Sequence, residues 1–341
     1  MSFDVEPSPA AGLVAPSARA SIAPCSCEYN QALVANVHPP GWVNPEPAAR
    51  YNLVVLGAGT AGLVSAVGAA FLGAKVAIVE KHLMGGDCLN FGCVPSKGLL
   101  RAARAVRAVG EADVFGVRTH GPVDFDFAAA MERMRRLRAG ISRNDSARRL
   151  TELGIDVFFG AARFVGADAV EVDGRRLRFA RAVIATGARP VSLPVPGLAE
   201  AGFLTNETVF SLTELPRRLA VIGAGPIGCE LAQAFRRFGS EVTIVSLDPR
   251  LLPREDADAA AVLSRRFERE GIRMALGAAI RRVERREEGK VLIFERAGVV
   301  ESVSADTILV AVGRAPNVEE LGLEAAGVEF DKRGVKVDDR L

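Results

Sequence analysis

No stretch of this sequence strings together the roughly 18 apolar residues that a bilayer-spanning helix needs. Residues Met1 to Pro24 lack the basic start and apolar core of a secretory signal. Excess charge is missing too. The 43 Lys and Arg residues stand against 41 Asp and Glu, so nothing in the charge balance calls for a nucleic acid partner. Cysteine is scarce, with 5 in 341 residues, and an odd, small number in a long chain is not the disulfide framework of a secreted protein. These absences point to the cytoplasm, where thiols stay reduced and a close cysteine pair signals redox work or a metal. Apolar residues are plentiful at 49%, enough for normal cores, and the length suggests two or three domains.

Residues 1–50 are rich in Ala and Pro and show no period. They read as an extended or partly disordered leader. Its Cys25 and Cys27 could bind a metal, but two cysteines in a loose leader more often do nothing specific, and no metal site is expected. Folded structure is expected from Tyr51. Leu53 to Leu56 reads as a strand leading into Gly57-Ala58-Gly59-Thr60-Ala61-Gly62, a small-residue helix, and a second strand over Lys75 to Glu80. The same design returns at Leu219 to Ile222, Gly223-Ala224-Gly225-Pro226-Ile227-Gly228, and Glu241 to Val245. An internal repeat of this kind indicates two nucleotide-binding units. A smaller echo, Val183 to Pro190 against Leu309 to Pro316, reads as a buried strand closing each unit's sheet near its ligand. Phe125 to Leu153 reads as one long helix whose arginines form a solvated face.

The two glycine turns share one physical logic. The first glycine permits a tight turn, the second lets the backbone approach a pyrophosphate, and the third lets helix and strand pack closely. The pyrophosphate then sits on free N–H groups at the helix start. The end of each second strand discriminates between ligands. Glu80 in the first unit can accept hydrogen bonds from ribose hydroxyls and would repel a 2′-phosphate, which suits FAD. Ser246 holds that place in the second unit and neither repels nor strongly attracts a phosphate. With Asp248, Arg250 and Arg254 nearby sending mixed messages, the second unit is expected to take NAD(P)H, leaning to NADPH.

Residues 85–97 read Gly-Gly-Asp-Cys-Leu-Asn-Phe-Gly-Cys-Val-Pro-Ser-Lys. Cys88 and Cys93 can meet only if a turn or helix start brings the sulfurs together. The stretch from Cys93 onward looks helical, and a helix N-terminus lowers a thiol pKa and so raises the thiolate fraction. The bland alternative, two buried structural cysteines, fits poorly beside two nucleotide turns that offer an electron route.

The stretch Gly85 to Lys97 resembles the redox signature of the pyridine nucleotide-disulfide oxidoreductases, which include dihydrolipoamide dehydrogenase, glutathione reductase and mercuric reductase. The likeness runs from about Tyr51 to the last residue, weakly into Glu28 to Arg50, and leans to the mercuric-reductase-like flavoproteins. It implies an α/β fold of two Rossmann-like, three-layer domains, the second inserted in the first. Residues 51–200 and 316–341 would bind FAD and residues 201–315 NAD(P)H. Cys88 would be the interchange thiol, Cys93 the thiol against the flavin, and Lys97 would face the flavin paired with Glu230. Gly57, Gly59, Thr60, Gly62, Glu80, Lys81, Gly86, Asp87, Thr186, Gly187 and Gly313 would border FAD. Gly223, Gly225, Ile227, Gly228 and Ser246 would hold NAD(P)H.

Two departures stand out. Asp87 replaces the Thr of many relatives. The chain also stops at Leu341, where the family continues into a Gly-Asp segment and a C-terminal dimerisation domain bearing a His–Glu acid–base pair. None of His38, His82 and His120 sits where that base belongs. A fragment or truncated product is expected, binding FAD weakly and turning over poorly, while the full-length form would be a homodimer. The oxidant would be a small disulfide or Hg(II). The alternatives are a dihydrolipoamide dehydrogenase, an NAD(P)H:quinone or transhydrogenase flavoprotein, or an inactive truncated flavoprotein.

Overall fold

A computed structural model describes residues 27–118, 121 and 124–341. The first part of the expected leader, with Cys25, and His120 fall outside the described residues. The rest of the leader departs from its expectation of extended or disordered chain. Glu28–Val37 is a helix (α1) that packs on Phe127–Ser142 and buries Leu33 and Val37 completely. Those two residues lie one turn apart on one helix face, a pattern too short to stand out in an Ala- and Pro-rich stretch. After α1, Trp42 Nε1 donates to Val157 O at 3.3 Å, and Asn44 exchanges two bonds of 2.8 Å with the Phe159 backbone.

Those bonds matter because Asp156–Phe159 (β3) is an edge strand. The first sheet also contains Tyr51–Leu56 (β1), Val76–Glu80 (β2), Ala162–Gly166 (β4), Ala169–Val172 (β5) and Arg175–Ile184 (β6), in the order β3-β2-β1-β6-β5-β4. Strands β3, β2, β1 and β6 are parallel, and β6, β5 and β4 are antiparallel. Every residue of β2 is buried, as the continuous apolar run of a strand covered on both faces requires. Helix α2 (Thr60–Phe71) joins β1 to β2. Gly86–Asn90 (α3) and Cys93–Gly110 (α4) follow.

The expected single helix over Phe125 to Leu153 is two. Phe127–Ser142 (α5) starts at Asp126, whose Oδ1 accepts the Ala129 N–H at 2.9 Å. Ala147–Glu152 (α6) starts afresh where Ser146 Oγ accepts the Arg149 N–H at 3.2 Å. Its arginines are not simply a solvated face either. Arg135 is 5% exposed and donates to the Leu212 carbonyl at 2.8 Å, and Arg138 is 3% exposed. Their partners are remote in sequence, so helical charge spacing could not reveal them.

The second sheet has the order β10-β9-β8-β14, all parallel, from Arg218–Ile222 (β8), Glu241–Ser246 (β9), Arg273–Leu276 (β10) and Thr307–Val310 (β14). Its helices include Pro226–Phe238 (α8) and Ala257–Glu270 (α9). An antiparallel meander, Ala278–Arg286 (β11), Gly289–Arg296 (β12) and Val299–Ala305 (β13), packs beside it with the short helix Leu198–Ala201 (α7).

The two echoing segments do not each close a sheet to the end. Val183 and Ile184 are only half-buried. The segments' distal parts, Ala188–Pro190 (β7) and Arg314–Pro316 (β15), pair with each other as an antiparallel ribbon. The chain then returns to the first unit. Asn317 N donates to Gly187 O at 2.9 Å, Phe164 N donates to Leu321 O at 2.7 Å, and Val318 and Leu323 join the first sheet's core. The second unit is thus inserted in the first. One apolar cluster spans both, with Leu99, Met131 and Met134 of the first unit packed with Val221, Leu231 and Phe235 of the second.

Candidate active site

The first turn is built by backbone approach. Gly57 has φ +100°, and a Cβ there would stand 2.3 Å from the Ala185 carbonyl oxygen. A Cβ on Gly62 would stand 1.8 Å from the Gly57 carbonyl oxygen. Only glycine allows α2 to begin so close to β1. Gly223 and Gly228 repeat the arrangement, with corresponding approaches of 2.4 Å to Ala311 O and 2.3 Å to Gly223 O. Gly225 differs, because a Cβ there would meet nothing within 4 Å among the described residues. Its backbone faces open space at the start of the 13-residue helix α8, where an anionic diphosphate is favoured. Ile227 is half-buried and packs against the shared core.

Glu80 is 8% exposed at the end of β2. Its Oε2 accepts the Ala58 N–H at 2.8 Å and its Oε1 accepts the His82 N–H at 2.7 Å. Burial pushes its carboxyl above the ordinary range, against the pull of those two N–H groups. The carboxylate therefore braces the first glycine turn from below, and each oxygen keeps acceptor capacity for a further donor such as a ribose hydroxyl. Lys81 is exposed beside it. Burial, then the neighbouring His38 and Lys81 charges, hold His82 below its ordinary range. His38 Nδ1–H donates to the His82 carbonyl.

Gly86 sits back to back with the first turn. A Cβ on Gly86 would fall 2.6 Å from the Gly59 Cα. This contact delivers α3, and with it Cys88, to the rim of the glycine turn. Cys93 is the first residue of the 18-residue helix α4, and both cysteines are free thiols. Burial pushes the Cys88 thiol up, and the adjoining Cys93 thiol adds to that; the Thr60 hydroxyl and the Cys93 backbone N–H donate to Cys88 and act the other way. The helix-start effect thus falls on Cys88 and is outweighed by burial.

Lys97 Nζ stands 2.6 and 2.8 Å from the two Glu230 carboxylate oxygens, bridging α4 and α8. Asp87 gathers partners that sequence spacing did not suggest. Its Oδ1 accepts from Asn206 Nδ2 at 3.1 Å, and its Oδ2 lies 3.1 Å from Arg314 Nη1. Asn206 Nδ2 also reaches Phe91 O at 3.4 Å. Glu207 adjoins the group, its carboxyl pushed up by burial and then by the Asp87 charge. Thr186 Oγ1 donates to Asn317 O at 2.7 Å, so this hydroxyl fastens the returning chain to the link between β6 and β7. Gly187 and Gly313 have φ +67° and +130° and no neighbour that a Cβ would strike.

In the second unit Ser246 is buried at the end of β9 and donates its hydroxyl to Asp248 Oδ2 at 3.1 Å. Arg250 donates to the carbonyls of Leu252, Pro253 and Glu255 at 3.0, 2.7 and 2.7 Å. Both turns fit a dinucleotide: glycine backbone at close approach, a helix start, and polar groups at the strand end.

Comparison with known proteins agrees with this geometry. The sequence profile of the family described as pyridine nucleotide-disulphide oxidoreductase matches residues 51–341. A mercuric reductase of Lysinibacillus sphaericus is 37% identical over 282 residues, which cover 83% of this chain and 52% of that protein. A dihydrolipoyl dehydrogenase of Thermus scotoductus is 37% identical over 303 residues, 85% of this chain and 63% of that protein. The solved HOCl-induced flavoprotein disulfide reductase RclA from Escherichia coli aligns over 85% of this chain and 63% of its own, with 31% identity and a TM-score of 0.73. The chain spans about half the length of the mercuric reductases it matches.

Proposed function

This chain belongs to the pyridine nucleotide-disulphide oxidoreductase family, and from that premise we propose that Cys88 and Cys93 pass electrons from NAD(P)H to a small disulfide or to Hg(II). Bound FAD supplies a carrier that accepts a hydride from the nicotinamide and hands two electrons to a disulfide. Residues 51–200 and 316–341 form its site in this reading, with Gly57, Gly59 and Gly62 under the pyrophosphate and Glu80 at the ribose. Residues 201–315 form the nicotinamide nucleotide site. Lys97 and Glu230 tie the two across the redox helix.

Cys88 is the interchange thiol. As thiolate it attacks a substrate disulfide, forming a mixed disulfide and releasing one substrate thiolate. Cys93 then attacks the Cys88 sulfur and releases the second substrate thiolate, restoring the Cys88–Cys93 disulfide with two electrons delivered. The Thr60 hydroxyl and the Cys93 N–H stabilise the attacking thiolate, because both donate to Cys88. The observation that carries the proposal is the close packing of Gly86 on Gly59, which sets Cys88 at the rim of the first glycine turn with Cys93 opening the next helix. Mercuric reductases and dihydrolipoyl dehydrogenases match this chain to similar degrees, so Hg(II) and a dithiol–disulfide substrate stand side by side. Residence in the cytoplasm, and homodimer formation by a longer form, belong to the same proposal.

The test is NAD(P)H oxidation by FAD-loaded protein with Hg(II), lipoamide or glutathione disulfide as oxidant. Cys88→Ser should abolish each of these activities and spare reduction of a quinone. Wild type that reduces quinones alone would end the dithiol reading.

A further inference from the structure

The loop that follows β9 is organised in a way that bears on which nicotinamide nucleotide it admits. In a dinucleotide fold the residue closing the second strand meets the adenosine ribose, and an acid there selects the free 2′-hydroxyl against a 2′-phosphate. Ser246 closes β9 and is too short and too buried to do this itself. Its hydroxyl instead donates to Asp248 Oδ2 at 3.1 Å and accepts the Asp248 backbone N–H at 3.2 Å. The Asp248 carbonyl in turn accepts from Gly277 N at 2.9 Å. Backbone and side chain of Asp248 are thus both fixed, and its carboxylate stands at the strand end that Glu80 occupies in the first unit.

A cation that could reverse this choice is engaged elsewhere. Arg250 lies in the same loop and would be the natural partner of a 2′-phosphate. Its guanidinium holds the carbonyls of Leu252, Pro253 and Glu255. The loop it holds bends back on the glycine turn, where Leu252, at φ +47°, donates its N–H to Ala224 O at 2.8 Å. Turning Arg250 onto a phosphate would release three carbonyls and the strained Leu252 with them. Arg254 is exposed, and a solvated surface cation attracts a phosphate only weakly.

We propose that Asp248, held by Ser246, makes the second unit select NADH over NADPH. The inference rests on reading that unit as the nicotinamide nucleotide site. It reverses the lean to NADPH read from the sequence of Ser246, Asp248, Arg250 and Arg254. The physical cause is displacement: the discriminating carboxylate comes from two residues further along and is returned to the strand end by the serine.

The test is isothermal titration of the purified chain with ADP-ribose and with 2′-phospho-ADP-ribose, neither of which needs flavin or turnover. ADP-ribose should bind about tenfold or more tightly than its 2′-phosphorylated form, the scale expected for a carboxylate facing a phosphate of nearly two charges. Asp248→Asn should close most of that gap by strengthening binding of the phosphorylated form. Ser246→Ala should narrow it as well, and thermal melting shows whether each variant is folded. Arg254→Ala should leave the ratio unchanged. Equal or tighter binding of the phosphorylated ligand by wild type overturns the proposal. So does a ratio that moves with Arg254→Ala and not with Asp248→Asn. Failure of both ligands to bind removes the nucleotide-site reading itself, an outcome distinct from a wrong preference.

Discussion

His82 and Glu80 are neighbours whose burial pulls in opposite directions with pH. The His82 imidazole is held below its ordinary value of 6.5. The unfolded chain therefore takes up this proton first on acidification. The stabilising contribution is complete above 6.5 and is lost as pH falls from there through the lowered value. The Glu80 carboxyl is raised, so its contribution is greatest at low pH and declines as pH rises through the raised value. Comparing variants separates the two. Urea unfolding at about pH 7.5 and about pH 5 should show wild type losing more stability on acidification than His82→Gln. Identical losses in the two proteins would show that His82 is not the group responsible. The same residue scale shows what sequence could and could not deliver. Glu80 was expected from its distance from a glycine turn, and Glu230 as the partner of Lys97 from the family resemblance. Arg138 was not, because its bonds to Asn90 O and Asn30 Oδ1 cross 48 and 108 positions of sequence and leave no local period. Burial, with Arg135 close by, pushes that guanidinium down to about 10, a sign of how far it lies from the solvated face its spacing suggested.

The glycine turns are where local sequence and local structure agree most closely, since the first and third glycine of each turn answer a distinct steric demand. They also separate folding from binding. Gly62→Ala must push its methyl into the Gly57 carbonyl, 1.8 Å away, and should unfold the first unit or lower its melting point severely. Gly225→Ala meets nothing within 4 Å among the described residues, so its unfolding free energy should change by no more than a surface substitution does, about 0.5 kcal/mol. Its affinity for ADP-ribose should nevertheless fall, because the methyl occupies the space a diphosphate needs. A Gly225→Ala protein that binds as wild type would mean the second turn holds no diphosphate. Helix α1 and the meander β11–β13 were among the elements that the sequence did not announce. The first is short and set in Ala- and Pro-rich chain. The second alternates charged and apolar residues around the single turn glycines Gly289 and Gly298, with no clustered glycine turn of the nucleotide-binding kind.

At the scale of the whole molecule, the two units are clamped along α4 and α8. Near the cysteines the clamp is Lys97–Glu230, with the Lys97 side chain 60% exposed. At the far end Glu270 is 7% exposed and receives Arg107, Arg237, Arg266 and Gln233. Between them Phe127, Phe235 and Phe238 interlock in the shared core. The two ends should weigh very differently. Glu270→Ala removes the carboxylate that Arg107, Arg237 and Arg266 share and should cost about 1–3 kcal/mol, since Glu111 and solvent still reach part of the cluster. Lys97→Met should change stability by about 0–1 kcal/mol. Denaturant unfolding of both variants checks this ordering, and equal costs would mean the far end carries no special weight. The presence of two units was legible from the repeat, and their nesting only from the family resemblance. The Glu270 end of the clamp was not, since it joins helices whose ionic residues each look solvent-facing when read alone.

The helix at residues 28–37 has a practical consequence for anyone choosing where to cut. Val37 O accepts the Met84 N–H at 3.0 Å, and the following residues Trp42 and Asn44 satisfy the border of β3. Recombinant protein started at Tyr51, the point where the nucleotide fold announces itself in sequence, would leave a raw strand border ready to pair with other molecules. It should collect in inclusion bodies, whereas protein started at Cys27 should stay in the supernatant.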